Sequence, residues 1–384
     1  MMMKRYCLKD VAEIYSGATP LTKNKKFYEN GTIAWITPKD LSGYNHKYIY
    51  SGQRSITEEG YRSCATSLLP KGTVLFSSRA PIGYVAIAGK ELCTNQGFKS
   101  FVCNDKVLFN HYLYYYLIKN REKLESLGNG STFKEISRKT LLDYQIDLPS
   151  IDEQKKIVQD LVDLDDRYEK NCGIISSIDE LMRLLYCKYF EDEDTTYDYM
   201  DIGCVVEIIT GGTPSTNIEN YWNNGIYYWY TPSDITASDS VISYGSQNKI
   251  SVSGLANSSA KLIPPMSILM TSRATIGEAT INKFESTTNQ GMLALIPKDE
   301  RLSILQLYYW IKRNKKKITS IANGSTFKEV YKKDLSKLQL GISEKSSIEF
   351  MKKTKILFEL YESLTRENKL IGELKKCILD TVFN

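Results

Sequence analysis

The heptapeptide NGSTFKE occupies residues 129–135, and the same seven letters return at residues 323–329. Asn-Gly marks a turn, because both residues tolerate positive φ, and the Thr-Phe that follows suggests the start of a strand. The repetition extends outward from this string. Thr19-Pro20 returns as Thr213-Pro214, and Asn30-Gly31 returns as Asn224-Gly225. WITPKD (35–40) returns as WYTPSD (229–234), SRAPIG (78–83) as SRATIG (272–277), and TNQG (94–97) as TNQG (288–291). Every pair is separated by 194 residues. One offset held across six motifs is an internal duplication, and its unit is of whole-domain size.

Hydrophobic residues make up 42% of the 384-residue chain, an ordinary share for a globular protein with real cores. No apolar run reaches the ~18–20 residues that span a bilayer, and the N-terminus has no signal-type segment. The eight cysteines are scattered without a C-x-x-C pair. That argues against a metal site or a disulfide framework, and for a reducing cytoplasm. The net charge of +5 is unevenly placed. Residues 1–150 carry 21 Lys and Arg against 13 Asp and Glu, and residues 151–195 carry 6 against 13. Residues 196–343 carry 15 against 12, and residues 344–384 carry 8 against 7. Two basic modules suit a polyanionic partner, and the acidic segment between them should stay off it.

Each copy has two unlike parts. The first, 1–150 and 196–343, is rich in Gly, Thr, Tyr and turn signals. TVLFSS (73–78) and YVAIA (84–88) read as strands, with SILMTS (267–272) and EATIN (278–282) as counterparts. One helix is expected near 106–127 and again near 301–321, which makes this part an α+β globule. The second part, 151–195 and 344–384, reads as a long helix. Its apolar seam runs through Ile157, Leu161, Leu164, Tyr168, Ile175, Ile178, Met182, Leu185 and Tyr189, with Asn171 in the skipped position. The chain's end repeats the pattern with Phe350, Leu357, Leu360, Leu364, Ile371, Leu374 and Ile378, and with Lys353 and Glu367 in the gaps. Two narrow stripes of this length predict an antiparallel pair. The alternative is that each helix packs on its own globule. Pairing would place the globules at opposite ends about a pseudo-two-fold axis, a geometry suited to two separated half-sites on duplex DNA.

These motifs, together with LPSIDEQKKI (148–157) leading into the first long helix, resemble the specificity subunit of a type I restriction–modification enzyme. The resemblance covers essentially the whole chain. It implies two target-recognition domains, 1–150 and 196–343, each reading half of a split DNA site. It implies that the helices 151–195 and 344–384 set the spacing and dock two methyltransferase subunits, with motor-nuclease subunits completing the restriction enzyme. It also implies no catalysis and no cofactor in this chain; S-adenosylmethionine, ATP and Mg2+ belong on the partner subunits. One departure is that copy two has SEKSSIEFMK from Ser343 where LPSIDEQKKI would stand, so two docking surfaces would be unequal if that segment touches a partner.

The residues themselves show no catalytic motif. No N/D-P-P-Y/F methyltransferase string occurs. GYVAIAGK (83–90) fails as a P-loop, because five residues separate its glycines and Glu91 follows where Ser or Thr should bind magnesium. His46 and His111 have no metal-type spacing. The remaining alternatives are a stand-alone or type II-like DNA-specificity module, and a carbohydrate-binding protein suggested by 27 tyrosines. Tyr112, Tyr115 and Tyr116 sit at core-like spacing on one helix, which weakens the latter.

Identical residues in two domains that read different sequences should serve folding or phosphate contacts, and differing ones should read bases. The shared candidates for phosphate are Arg79/Arg273, Lys134/Lys328, Ser131/Ser325 and Thr132/Thr326. For the arginines and the lysines an internal ion pair, with Asp40/Asp234 or Glu135/Glu329, is the competing reading. The base-reading candidates are Lys25, Lys26, Lys39, Asn45, His46 and Lys47, facing Glu219, Asn220, Ser233, Asp239, Ser240 and Val241. Asn171 and Glu367 should meet in one polar layer that fixes helix register.

Overall fold

The computed structural model describes residues 3–130, 134–192, 196–237, 240–324 and 328–383. It divides into two compact units, Met1–Cys172 with Arg366–Asn384, and Gly173–Thr365. The division cuts both long helices, Ile151–Phe190 and Glu344–Val382. Each unit therefore owns one globule and half of each helix. Unit 2 runs helix half, globule, helix half. Unit 1 has the same three parts in rotated order: its globule comes first in the chain, and residues 366–382 supply its second helix half last.

In unit 1 the strands are β1 (Lys4–Cys7), β2 (Ala12–Ser16), β3 (Ile33–Ile36), β4 (Tyr48–Ile49) and β5 (Arg54–Ile56). They continue with β6 (Val74–Ser78), β7 (Ile82–Ala88), β8 (Cys93–Thr94), β9 (Phe98–Cys103) and β10 (Gln145–Leu148). A five-stranded sheet has the order β2-β9-β6-β7-β4 and a three-stranded one β5-β3-β8, while β1 and β10 pair and close the globule just before the long helix. In unit 2 the strands are β11 (Asp198–Asp201), β12 (Val206–Thr210), β13 (Tyr227–Tyr230), β14 (Ile242–Ser243) and β15 (Asn248–Ile250). Then come β16 (Ile268–Thr271), β17 (Ala279–Asn282), β18 (Ser286–Thr288), β19 (Met292–Pro297) and β20 (Gln339–Ile342), in the orders β12-β19-β16-β17-β14, β15-β13-β18 and β11-β20. The topology is repeated strand for strand. Val74–Ser78 and Ile268–Thr271 are buried throughout, which is why these strands read as continuous runs without alternation.

The expected helix at 106–127 is two helices, Asn110–Lys119 and Arg121–Ser126. At the break, the Asn120 side chain donates to the Tyr116 carbonyl at 2.9 Å, competing with the backbone for that turn. Unit 2 breaks in the same way, into Ile304–Arg313 and Lys315–Ser320, with Asn314 donating to the Trp310 carbonyl at 2.9 Å. Tyr112, Leu113 and Tyr115 lie in the unit 1 core with Phe76, Phe101 and Ile146.

Both expectations for the long helices hold within each unit. Val158 and Leu161 enter the globule's core in unit 1, joined there by Ile378 and Leu379 of the second helix and by Phe383 just after it. The halves run antiparallel, since Asn171 meets Glu367 and Asn368 while Asp165 meets Lys375. In unit 2 Ile178, Met182 and Tyr186 share a core with Phe350, Phe358 and Tyr361. A helix that touches a globule as well as a helix buries a wider, shifted stripe. Two seam assignments fail for that reason: Leu360 and Leu374 are 45% and 49% exposed, and Tyr361 and Lys375 take the inner positions. Lys353 likewise points out and Thr354 is buried.

The LPSIDEQKKI segment has an internal role. Ser150 and Glu153 form a reciprocal cap at the helix start, the Ser150 hydroxyl donating to Glu153 Oε2 at 2.7 Å and accepting from the Glu153 N–H at 3.4 Å. Gln154 is fully buried; it donates to the Val107 and Pro149 carbonyls and accepts from the Phe109 N–H. The second helix lacks that glutamine. Ser347 there donates instead to Gln306, a buried amide on the globule, at 3.2 Å.

Candidate nucleic-acid interface

The differing residues ride on a frame of identical hydrogen bonds. Lys25 and Lys26 sit on the 3-10 turn Lys25–Phe27, which is tied to Thr57: its hydroxyl donates to the Lys26 carbonyl at 2.9 Å and its N–H to the Phe27 carbonyl at 3.0 Å. Lys39 sits on the turn Pro38–Leu41. Asp40 caps that turn by accepting from the Thr37 N–H at 2.7 Å, and it also accepts from the Gln53 N–H at 2.7 Å. Unit 2 reproduces each contact. The Ser251 hydroxyl donates to the Asn220 carbonyl at 2.7 Å, and Asp234 accepts from the Thr231 N–H and the Gln247 N–H, both at 2.8 Å. Glu219, Asn220 and Ser233 therefore occupy the places of Lys25, Lys26 and Lys39. Asp40 and Asp234 are capping residues, which removes them as partners for the shared arginines.

All three lysines are exposed. Lys25 has a loose pairing with Glu29 at 3.8 Å, and Lys26 and Lys39 have no ion-pair partner among the described residues. Asn45 is also exposed. Its neighbours are turned inward, against the expectation. The Lys47 side chain is fully buried, with Nζ 3.0 Å from Asp166 and its N–H donating to Glu169 at 3.1 Å. His46 Nδ1 is 2.8 Å from Glu169, and that hydrogen bond raises the imidazole pKa. Both residues dock the globule on the first long helix, so Lys47 is not a base-reading side chain. Ser240 in unit 2 lies against the second long helix instead: its hydroxyl donates to the Ile242 carbonyl at 2.8 Å and lies 3.2 Å from the Tyr361 hydroxyl. The Val241 N–H donates to that same hydroxyl at 3.0 Å.

Arg79 Nη1 lies 3.3 Å from Glu135, and Arg273 Nε lies 2.8 Å from Glu329. The ion-pair reading is the one realised, and it explains the opening string. Asn129 and Glu135 exchange backbone hydrogen bonds across the turn, whose Gly130 has a φ of +120°, and the Ile136 N–H donates to the Ser78 carbonyl at 3.0 Å. SRAPIG and NGSTFKE are thus neighbours in space, and the same bonds recur at Asn323, Glu329 and Val330. Lys99, 8% exposed, also reaches Glu135, at 3.3 Å; Leu293 stands at its place in unit 2. Lys134 and Lys328 project into solvent beside these pairs, without an ion-pair partner among the described residues. Ser131, Thr132, Ser325, Thr326 and Asp239 lie outside the described residues.

The polar layer contains more than the expected pair. The buried Asn171 amide donates to Glu367 Oε2 at 3.2 Å and to Asn368 Oδ1 at 2.9 Å, and Arg167 pairs with Glu367 from the helix exterior. Six residues away, the carboxylate of Asp165, almost wholly buried, accepts from the Tyr115 hydroxyl and pairs with Lys375. Sequence reasoning missed this cluster, since an Asp in a seam has no local signature. It also missed Arg54, which lies over the Tyr28 ring at 3.9 Å; the available signal was the differing pair Arg54/Asn248 beside the identical pair Gln53/Gln247. No group of three or more His, Cys, Asp or Glu suited to a metal occurs among the described residues, and none of their helices is long and apolar enough to cross a membrane.

Comparison with known proteins agrees with this arrangement. The family described as Type I restriction modification DNA specificity domain matches residues 2–180 and 195–376. The MjaIX type I restriction enzyme specificity subunit of Methanocaldococcus jannaschii is 43% identical over 188 residues, 48% of this chain and 43% of that protein. A second relative from the same organism, described as a putative MjaX specificity subunit, is matched over 23% of its length, so these matches span less than half of either relative. The HindI specificity subunit of Haemophilus influenzae is 20% identical across 99% of this chain and 98% of its own. A crystal structure of the S subunit of a type I restriction-modification system from M. genitalium has the same fold, with a TM-score of 0.63, 15% identity, and coverage of 100% of this chain and 96% of that one. With a matching module in each half of the sequence, the chain belongs to the type I restriction modification DNA specificity domain family.

Proposed function

We propose that the chain is the non-catalytic DNA-recognition subunit of a type I restriction–modification complex. Each globule reads one half of a bipartite duplex site, and the long helices set the spacing and dock two methyltransferase subunits. Motor-nuclease subunits bind that core, and S-adenosylmethionine, ATP and Mg2+ are held by the partners. The observation that carries this reading is the duplicated frame: identical hydrogen bonds hold exposed side chains of different chemistry at matched places in the two units. That is what two readers of two different sequences require. Apolar side chains left exposed on the helices, such as Ile356 at 73% and Leu370 at 58%, supply surface for the docked subunits.

The test is to map adenine methylation in cells that carry the cognate methyltransferase subunits, with and without this chain. The expected outcome is one bipartite motif that disappears with the chain, and no methylation or cleavage by the purified chain alone. A motif that persists without the chain, or activity from the chain alone, overturns the reading.

A further inference from the structure

Arg54 and Asn248 occupy matched places, 194 residues apart, on β5 and β15. These are edge strands of the two three-stranded sheets, and each residue is the register partner of a shared tryptophan, Trp35 or Trp229. Both side chains are exposed, and neither has a hydrogen-bond or ion-pair partner among the described residues. The residue before each is Gln53 or Gln247, whose N–H is fixed by Asp40 or Asp234. The backbone at this place is thus held identically in the two units while the side chain differs.

The setting of Arg54 is organised further. Its guanidinium lies 3.9 Å from the centroid of the Tyr28 ring. Tyr28 is itself held, by its hydroxyl donating to the Pro20 carbonyl at 2.6 Å and by an edge contact with Trp35 at 6.1 Å. A guanidinium held over a fixed ring is restrained in position, and the donors along its edge make no hydrogen bond among the described residues. Such an edge matches the O6/N7 pair of guanine in the major groove, while an asparagine amide matches the N6/N7 pair of adenine. The exposed Lys25, Lys26 and Lys39 on the same frame supply the charge that holds a phosphate backbone nearby.

We infer that Arg54 and Asn248 are a matched pair of base-reading side chains, Arg54 fixing a guanine in the half-site of unit 1 and Asn248 an adenine in the half-site of unit 2. This rests on the DNA-recognition reading above and assigns chemistry to one position in each half-site.

The experiment uses the full chain with its methyltransferase subunits, and reads the methylated motif by sequencing together with each variant's melting temperature. Arg54→Ala should relax one guanine of one half-site by roughly 10- to 100-fold in discrimination, leaving the other half-site unchanged. Arg54→Lys should restore it only in part, because an ammonium can reach O6 and N7 but lacks the planar fork that lies over the Tyr28 ring. Asn248→Ala should relax one adenine in the opposite half-site. The inference is overturned by an unchanged motif with uniformly weaker methylation, by full rescue with lysine, or by equal loss in both half-sites with a lowered melting temperature. A wild-type complex that methylates no bipartite site overturns the recognition reading itself, and this inference with it.

Discussion

Lys134 and Lys328 stand beside arginines paired with Glu135 and Glu329, and unlike those arginines they have no ion-pair partner among the described residues. Lys134→Ala and Lys328→Ala should each weaken DNA binding alike on all sequences and reduce the slope of log affinity against log salt by about one. Binding isotherms over a salt series check this, and a changed recognition motif with the old salt slope would reassign both residues. A second residue-scale consequence concerns acid. Burial and the nearby Lys47 push the His111 imidazole down to about 4; its ring stacks on Phe109 at 4.9 Å and its Nε2 lies 3.2 Å from the Tyr48 hydroxyl. In the unfolded chain the ring takes up a proton near pH 6.5, whereas the native ring stays neutral. Stability is therefore lost as pH falls from about 6.5 toward 4, by about 2 kcal/mol between pH 7 and 5. His46, whose pKa is raised by Glu169, acts in the opposite sense: its stabilisation is full in acid and fades as pH rises through its native value. Thermal melts of wild type and His111→Phe at pH 7 and 5 separate the two, the variant losing less on acidification.

At the scale of elements, Asn171 and Glu367 form a polar layer in the helix pair, six residues from the buried Asp165–Lys375 pair, a device that trades stability for register. Asn171→Leu with Glu367→Leu should raise the melting temperature by about 2–4 °C if the layer costs about 1 kcal/mol. Arg167, already largely exposed, is released to water. The same variant should tolerate a slipped register: one heptad is about 10 Å at about 1.5 Å per residue, or about three base pairs at about 3.4 Å. Melting and the preferred spacer of the methylated motif are the two readouts; a less stable protein, or an unchanged spacer, would deny the layer this role. The helices also show what sequence could and could not reveal. The fixed offset exposed two copies, and the apolar runs at 73–78 and 267–272 became β6 and β16, because a strand buried on both faces needs no partner information to be recognised. Leu360 and Leu374 were misplaced because a periodic stripe gives spacing but not which side of it a globule will cover. Lys47 was misread because Asp166 and Glu169, which hold it, are more than a hundred residues away in the chain. The frame beneath Lys25, Lys26 and Lys39 was invisible for a similar reason: Thr57 and Gln53 contribute through backbone contacts that leave no composition signal.

Over the whole molecule, the helix halves of unit 2 leave Ile174, Leu181, Leu184, Ile348, Met351, Ile356 and Leu360 exposed, while those of unit 1 leave Leu370 and Leu374. If these faces receive methyltransferase subunits, the two sites differ in apolar content. Ile356→Glu with Leu360→Lys, an i,i+4 pair that suits a solvated helix, should then reduce the assembled stoichiometry from two methyltransferase subunits to one. Native mass spectrometry reads that number, and a melting temperature within experimental error of wild type keeps it apart from misfolding. The rotated order of parts in unit 1 has a consequence for the newborn chain. Protein domains generally complete in the order in which the ribosome delivers them. Here unit 2 is whole once Thr365 has emerged, but unit 1 still waits for residues 366–382, whose Lys375 meets Asp165 and whose Ile378 and Leu379 cover its core. The globule that comes first in the chain is the one completed last in sequence order, so a chain cut after Thr365 would keep every residue of unit 2 and lack the Lys375, Ile378 and Leu379 that complete unit 1.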